Sequence, residues 1–128
     1  MVMPKRCGKQ EDMRDIRFRA WDKDDKYMTK PFLLSEIDNG EIEEGTLHVD
    51  ELELMQFTGL KDKNGIPIFE GDIMAGSDHA HFGEVKWNQT EARWKMYIKE
   101  EKSFGLEYGH ARLIEIIGNI YENPELLK

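Results

Sequence analysis

Cysteine is almost absent. Cys7 is the single one in 128 residues, so no internal disulfide can form, and such usage suits a reducing cytoplasm. Long apolar runs are missing too. No stretch approaches the ~20 residues of a membrane span, and the first residues lack the apolar core of a secretion signal. The expectation is a cytoplasmic protein with no membrane partner. Positive charge is in deficit: 18 Lys plus Arg face 26 Asp plus Glu, for a net charge of −8. A protein that coats nucleic acid over its whole surface needs the opposite sign. Neither the phosphate-loop spacing G-x-x-x-x-G-K-[ST] nor the nucleophile elbow G-x-S-x-G occurs. Carboxylates are plentiful, but they sit in a stretch so polar that nothing there would raise a pKa toward neutrality. These gaps predict a protein that is not an enzyme, with no catalytic residues and no cofactor.

What is present points to one packed domain. The hydrophobic fraction of 39% is modest, yet it includes three Trp, six Phe and four Tyr, which suffices for a single core at this length. The negative charge is concentrated. Glu36, Asp38, Glu41, Glu43, Glu44, Asp50, Glu51 and Glu53 follow one another with no Lys or Arg between them. Those eight account for the whole net charge, since the remaining 18 acids balance the 18 Lys plus Arg. Such a segment reads as a solvated edge, with steering of a basic partner or cation binding as the functional alternative.

Residues 1–14 show no periodicity and read as a flexible tail. IRFRAW (16–21) alternates, placing Ile16, Phe18 and Ala20 on one face of a half-buried strand and Arg17, Arg19 and Trp21 on the other. DKDD turns the chain and KYMTK (26–30) returns as the second strand of a hairpin. PFLLSEI suits a short helix or a strand, and TLHV (46–49) alternates again. ELELMQFTGL (51–60) reads as a longer strand with an irregularity near Leu54-Met55. GEVKWN (83–88) and ARWKMYIK (92–99) form a further hairpin, SFGLEYGH (103–110) is irregular, and LIEIIGNIY (113–121) is a last strand with Gly118 as a bulge. Asn123-Pro124-Glu125 opens a final helical turn, with Asn as the cap. Short strands with frequent turns mean a mainly β fold. The expected architecture is an SH3-like barrel or roll over residues 52–128, with the N-terminal hairpin and acidic segment (15–51) packed on it, in a single domain of residues 15–128.

Three stretches invite a chemical reading. LKDKNGIPIFEGDIM (60–74) carries two glycine turns and a proline, but it matches neither a calcium loop nor a phosphate loop. Its turns are better explained as backbone geometry: Asn64-Gly65 closes a hairpin, Pro67 marks an edge strand and Gly71-Asp72 turns into the next strand. Asp78-His79-Ala80-His81 would place two imidazoles on one face of a strand, where Asp78, His110 or His48 could complete a metal site. The plainer reading is a polar loop. In the hairpin 84–99, Val85, Trp87, Trp94, Met96 and Ile98 fall on the apolar face. Lys86, Arg93, Lys95, Tyr97 and Lys99 fall on the other, a candidate interaction surface that could track a nucleic-acid backbone. Glu84, Glu91, Glu100 and Glu101 offer it ordinary charge balance instead.

IRFRAWDKDDKYM, LMQFTGLKDKNGIPIFEGDIM, GEVKWNQTEARW and EIIGNIYENPELL appear in that order between residues 16 and 127. In this the chain resembles the YopX family of small phage and prophage proteins. The resemblance implies a predominantly β protein with an SH3-like barrel in its C-terminal half, in a bacterial cell hosting a phage or prophage genome. It implies no catalytic or binding residues. The expected role is that of an accessory protein acting as a non-enzymatic protein-interaction module, with an unidentified protein partner or self-association into a homo-oligomer. Nucleic-acid binding through the basic hairpin 84–99 is the alternative, and a metal-dependent enzyme at His79 and His81 a third reading.

Overall fold

Alternation in the first apolar run produces a strand that is packed on both faces. In the computed structural model, which describes residues 16–42, 47–76, 82–99 and 102–127, Arg17–Asp22 forms β1. The strand pairs with Tyr27–Met28 (β2), Phe32–Leu33 (β3) and Glu53–Lys61 (β6). Glu41–Ile42 (β4) and Leu47–His48 (β5) form a small separate ladder. Pro67–Phe69 (β7) follows β6 across the Asn64-Gly65 turn, giving the order β2-β1-β6-β7. Pro67 lies on the edge strand of that sheet, where its missing N–H leaves no ladder bond unmade.

The second sheet is antiparallel. It contains Asp72–Ala75 (β8), Phe82–Asn88 (β9), Arg93–Lys99 (β10), Lys102–Gly105 (β11) and Glu115–Asn119 (β12), in the order β11-β10-β9-β8-β12. A short helix, Tyr108–Ala111 (α1), joins β11 to β12, and Pro124–Leu127 closes the described chain as a 3-10 turn. The protein is mainly β, its curled sheets forming a half-barrel. One core holds Ile68, Met74, Val85, Met96, Leu106, Ala111 and Ile114; a smaller one holds Ala20, Phe32 and Ile42.

Several details differ from the pattern of the sequence. The irregularity of β6 falls between Phe57 and Lys61 on its β7 side, while pairing with β1 stays regular through Leu54 and Met55. Gly59 supplies it with φ of 90°, a conformation that costs a residue with a Cβ. SFGLEYGH is not irregular: its first part is β11, which gains strand structure by pairing with β10, and its last part is α1. Asn123 directs its side chain backwards, where Oδ1 accepts the Asn119 N–H at 3.2 Å. Hydrogen bonding of β1 to β6 makes the N-terminal hairpin part of the same sheet as the residues after 52. Residues 1–14 with Cys7, and the pair His79 and His81, lie outside the described residues.

The two sheets meet at a buried ion pair. The face of β1 opposite Ala20 carries Arg19, whose Nη2 donates to Asp72 Oδ1 at 2.7 Å. The Arg19 guanidinium lies over the Phe69 ring, 4.9 Å from its centroid. Asp72 Oδ2 accepts the Phe69 N–H at 2.7 Å. Burial pushes the Asp72 carboxyl above its ordinary range, against the pull of Arg19 and of the Phe69 N–H. Either charge would be left buried without its partner if the other were removed.

Candidate functional site

The residues Phe69-Glu70-Gly71-Asp72 turn the chain from β7 into β8, and that corner is where the elements converge. Gly71 adopts φ of 88°. Its N–H donates to Val85 O of β9 at 2.9 Å, and its carbonyl accepts the Ile120 N–H at 2.9 Å. A side chain at Gly71 would be forced against Met55 Sδ, 3.3 Å from the Cβ position. The neighbouring Glu70 is tied to β6 twice, its N–H donating to Gln56 O at 2.9 Å and its Oε1 accepting the Gln56 N–H at 3.3 Å.

Between this corner and the β9–β10 hairpin opens a cleft of about 470 Å³ lined by Gln56, Glu70, Trp87 and Trp94. The two indoles are opposite each other in the β9–β10 register. They meet edge to face, with centroids 5.2 Å apart and planes at 72°. They lie on the same face of the hairpin as buried Val85 and Met96; Trp94 packs against that core, whereas Trp87 remains 44% exposed. Trp87 Nε1 donates to Gln89 Oε1 at 2.9 Å, which holds the exposed ring in place.

The surroundings are acidic. Burial pushes the Glu84 carboxyl up, the Glu70 charge adds to that push, and Lys86 opposes it. The Tyr121 hydroxyl is raised by burial and then by the charges of Glu53, Glu70 and Glu84. Tyr121 stacks on Trp21 with centroids 5.7 Å apart, and Lys23 Nζ reaches Glu53 at 3.1 Å. Among the described residues no Lys or Arg pairs with the Glu70 carboxylate. The exposed Trp87 ring and half-buried Trp94, beside a carboxylate without a cationic partner among the described residues, suit a ligand that is flat or positively charged.

The residues singled out on the opposite face of the hairpin are mostly engaged with neighbouring side chains. Lys95 Nζ reaches Glu91 at 2.8 Å and holds its carboxyl below the ordinary range. Arg93 Nη2 reaches Glu107 at 2.7 Å. Lys86 lies over the Tyr97 ring, 5.2 Å from its centroid, and Tyr97 Oη accepts from Asn88 Nδ2 at 2.7 Å. Lys99 ends β10. The structure therefore brings these residues onto one ribbon, with Lys86, Arg93, Lys95 and Tyr97 in local ion pairs, ring contacts and a hydrogen bond. Of the two indoles read from the sequence as core residues of the apolar face, Trp94 packs against the core and Trp87 is exposed, and both line the cleft with Gln56 and Glu70.

Among the described residues no group of three or more His, Cys, Asp and Glu is placed to hold a metal, and no helix is long and apolar enough to cross a membrane. His48 pairs with Glu41 at 3.1 Å, and His110 Nδ1 lies 3.4 Å from Gly105 O.

Comparison with known proteins agrees with this architecture. The family model of the YopX protein matches residues 17–128, so the chain belongs to the YopX family. No curated protein matches significantly. The chain is similar to protein EF1440 from Enterococcus faecalis, whose crystal structure superposes with a TM-score of 0.59 at 26% identity. The match covers 88% of this chain and 98% of that one.

Proposed function

We propose that this YopX-family chain is a phage- or prophage-derived accessory protein that works as a non-enzymatic protein-interaction module in the bacterial cytoplasm, through the cleft beside Glu70. The observation that carries the reading is the placement of Trp87. A large aromatic side chain that could have been drawn into the core is held 44% exposed over an open cleft by its bond to Gln89. Exposed aromatic anchors in a concave, polar-rimmed site are what interaction surfaces use for affinity. The curled sheets, on this reading an SH3-like barrel, supply a rigid frame for that anchor.

The test is recovery of the tagged protein from phage-carrying cells, with and without nuclease, beside the same experiment on Trp87→Ala. The reading expects protein partners that survive nuclease and are lost with Trp87→Ala. Recovery that depends on nucleic acid and persists in Trp87→Ala would instead favour the basic face of residues 84–99.

A further inference from the structure

We propose that the cleft between the Glu70 corner and the β9–β10 hairpin receives an arginine side chain from an extended basic segment of the partner protein. The proposal rests on the interaction-module reading and names the chemistry of its partner.

The first argument is the combination of surfaces. Trp87 and Trp94 present ring area at the cleft, and Glu70 presents a carboxylate that accepts the backbone N–H of Gln56 at 3.3 Å and has no Lys or Arg partner among the described residues. A guanidinium satisfies both at once, stacking its plane on an indole while its forked N–H groups bond a carboxylate. A lysine ammonium, compact and strongly hydrated, meets the carboxylate but uses the ring area less well.

The second argument is charge complementarity. Glu53, Glu70 and Glu84 all act on Tyr121, while the nearby cations are already engaged, Lys23 with Glu53 and Lys86 over Tyr97. The local field repels phosphates and acidic peptides and attracts a basic segment. The third argument is size, since a cleft of about 470 Å³ has room for a long side chain and the backbone that delivers it.

The experiment uses the full chain at about physiological ionic strength, where the Debye length is about 8 Å and diffuse attraction is screened. A fluorescein-labelled glycine–arginine octapeptide is titrated and its anisotropy read, beside the same peptide with citrulline for arginine. Citrulline keeps the planar shape and loses the charge. The arginine peptide is expected to bind at least tenfold more tightly than the citrulline one. Glu70→Gln and Trp87→Ala are each expected to weaken binding at least tenfold. Asp38→Asn, which removes the same charge from an exposed turn, is expected to leave binding within twofold. Glu70→Gln keeps an acceptor for the Gln56 N–H, so circular dichroism should show an intact fold. Equal binding of the two peptides overturns the proposal, as does a Glu70→Gln protein that binds like wild type. A cellular partner that survives nuclease and is indifferent to Glu70→Gln and to competing arginine peptide would overturn the arginine proposal while leaving the interaction module standing. Recovery of no protein partner would overturn both.

Discussion

At the scale of single residues, the structure turns on a few polar side chains placed where water is excluded. Arg19 and Asp72 are the sharpest case. They stand 53 residues apart in sequence, so nothing local announces their pairing. The alternation of IRFRAW showed correctly that Arg19 opposes Ala20, but not that the second face would be covered. Arg19→Ala removes both the ion pair and the guanidinium from the Phe69 ring, leaving a buried carboxyl with one N–H donor. It should cost about 3–5 kcal/mol in urea unfolding, the range for breaking one side of a buried pair. Replacing both residues, as Arg19→Met with Asp72→Leu, should cost far less. The pH dependence follows from the sign of the shift. Asp72 already has its folded pKa raised by burial from an ordinary value of 3.8. Without Arg19 it rises further, because an opposing charge is gone. A carboxyl with a raised folded pKa favours the fold below its unfolded pKa and loses that contribution as pH climbs through the folded value. The stability deficit of Arg19→Ala should therefore widen between pH 4 and pH 7, read from denaturation midpoints.

At the scale of elements, the turns do more than reverse the chain. Asp62 Oδ1 accepts the N–H groups of Asn64 and Ile66 at 2.8 and 2.9 Å, and its Oδ2 accepts the Ile116 N–H of β12 at 3.0 Å. One buried carboxylate thus shapes the β6–β7 turn and caps the free edge of β12, a strand that would otherwise offer an unpaired N–H to other chains. Asp62→Ala should cost about 1–3 kcal/mol, since three N–H groups lose their acceptor but those of Asn64 and Ile66 lie at exposed positions where water can replace it. Amide exchange of Ile116 and Ile66 should accelerate together in that variant, although Ile66 lies in the β6–β7 turn and Ile116 in β12. Independent changes would mean that the turn and β12 are not coupled through Asp62.

The same scale shows what was legible beforehand. Asn64-Gly65, Pro67, Gly71 and Gly118 announced turns, an edge and a bulge because each obeys a local rule of backbone geometry. The strand Lys102–Gly105 did not, because its extended form comes from pairing with β10 and not from its own residues. The cleft was illegible for the same reason. Gln56, Glu70, Trp87 and Trp94 belong to separate segments, and alternation alone assigns both indoles to the core. It cannot tell that Trp94 packs there while Trp87, opposite it, stays exposed.

At the scale of the whole molecule, β6 belongs to the N-terminal sheet while the β7–β8 corner that follows belongs to the cleft, so the two halves share their frame. Unfolding should be a single transition, with far-ultraviolet dichroism and tryptophan fluorescence giving coincident midpoints. An early fluorescence change would show that the sheet carrying Trp87 and Trp94 melts apart from the rest. The distribution of charge is also a property of the whole. The eight acids between Glu36 and Glu53 set the net charge of −8, and Glu53, at the end of that run, joins the acidic surroundings of the cleft.

The claim that the cleft, and not the basic face of the hairpin, is the working surface can be examined directly by nitrogen–proton correlation NMR on the labelled full chain. On addition of an arginine-bearing peptide, the indole N–H signals of Trp87 and Trp94 should move in a saturable way while the amides of Lys86 and Lys95 stay in place. On addition of single-stranded DNA, none of these signals should move. Saturable shifts at Lys86, Arg93 and Lys95 with DNA, and silent indoles with the peptide, would contradict the account.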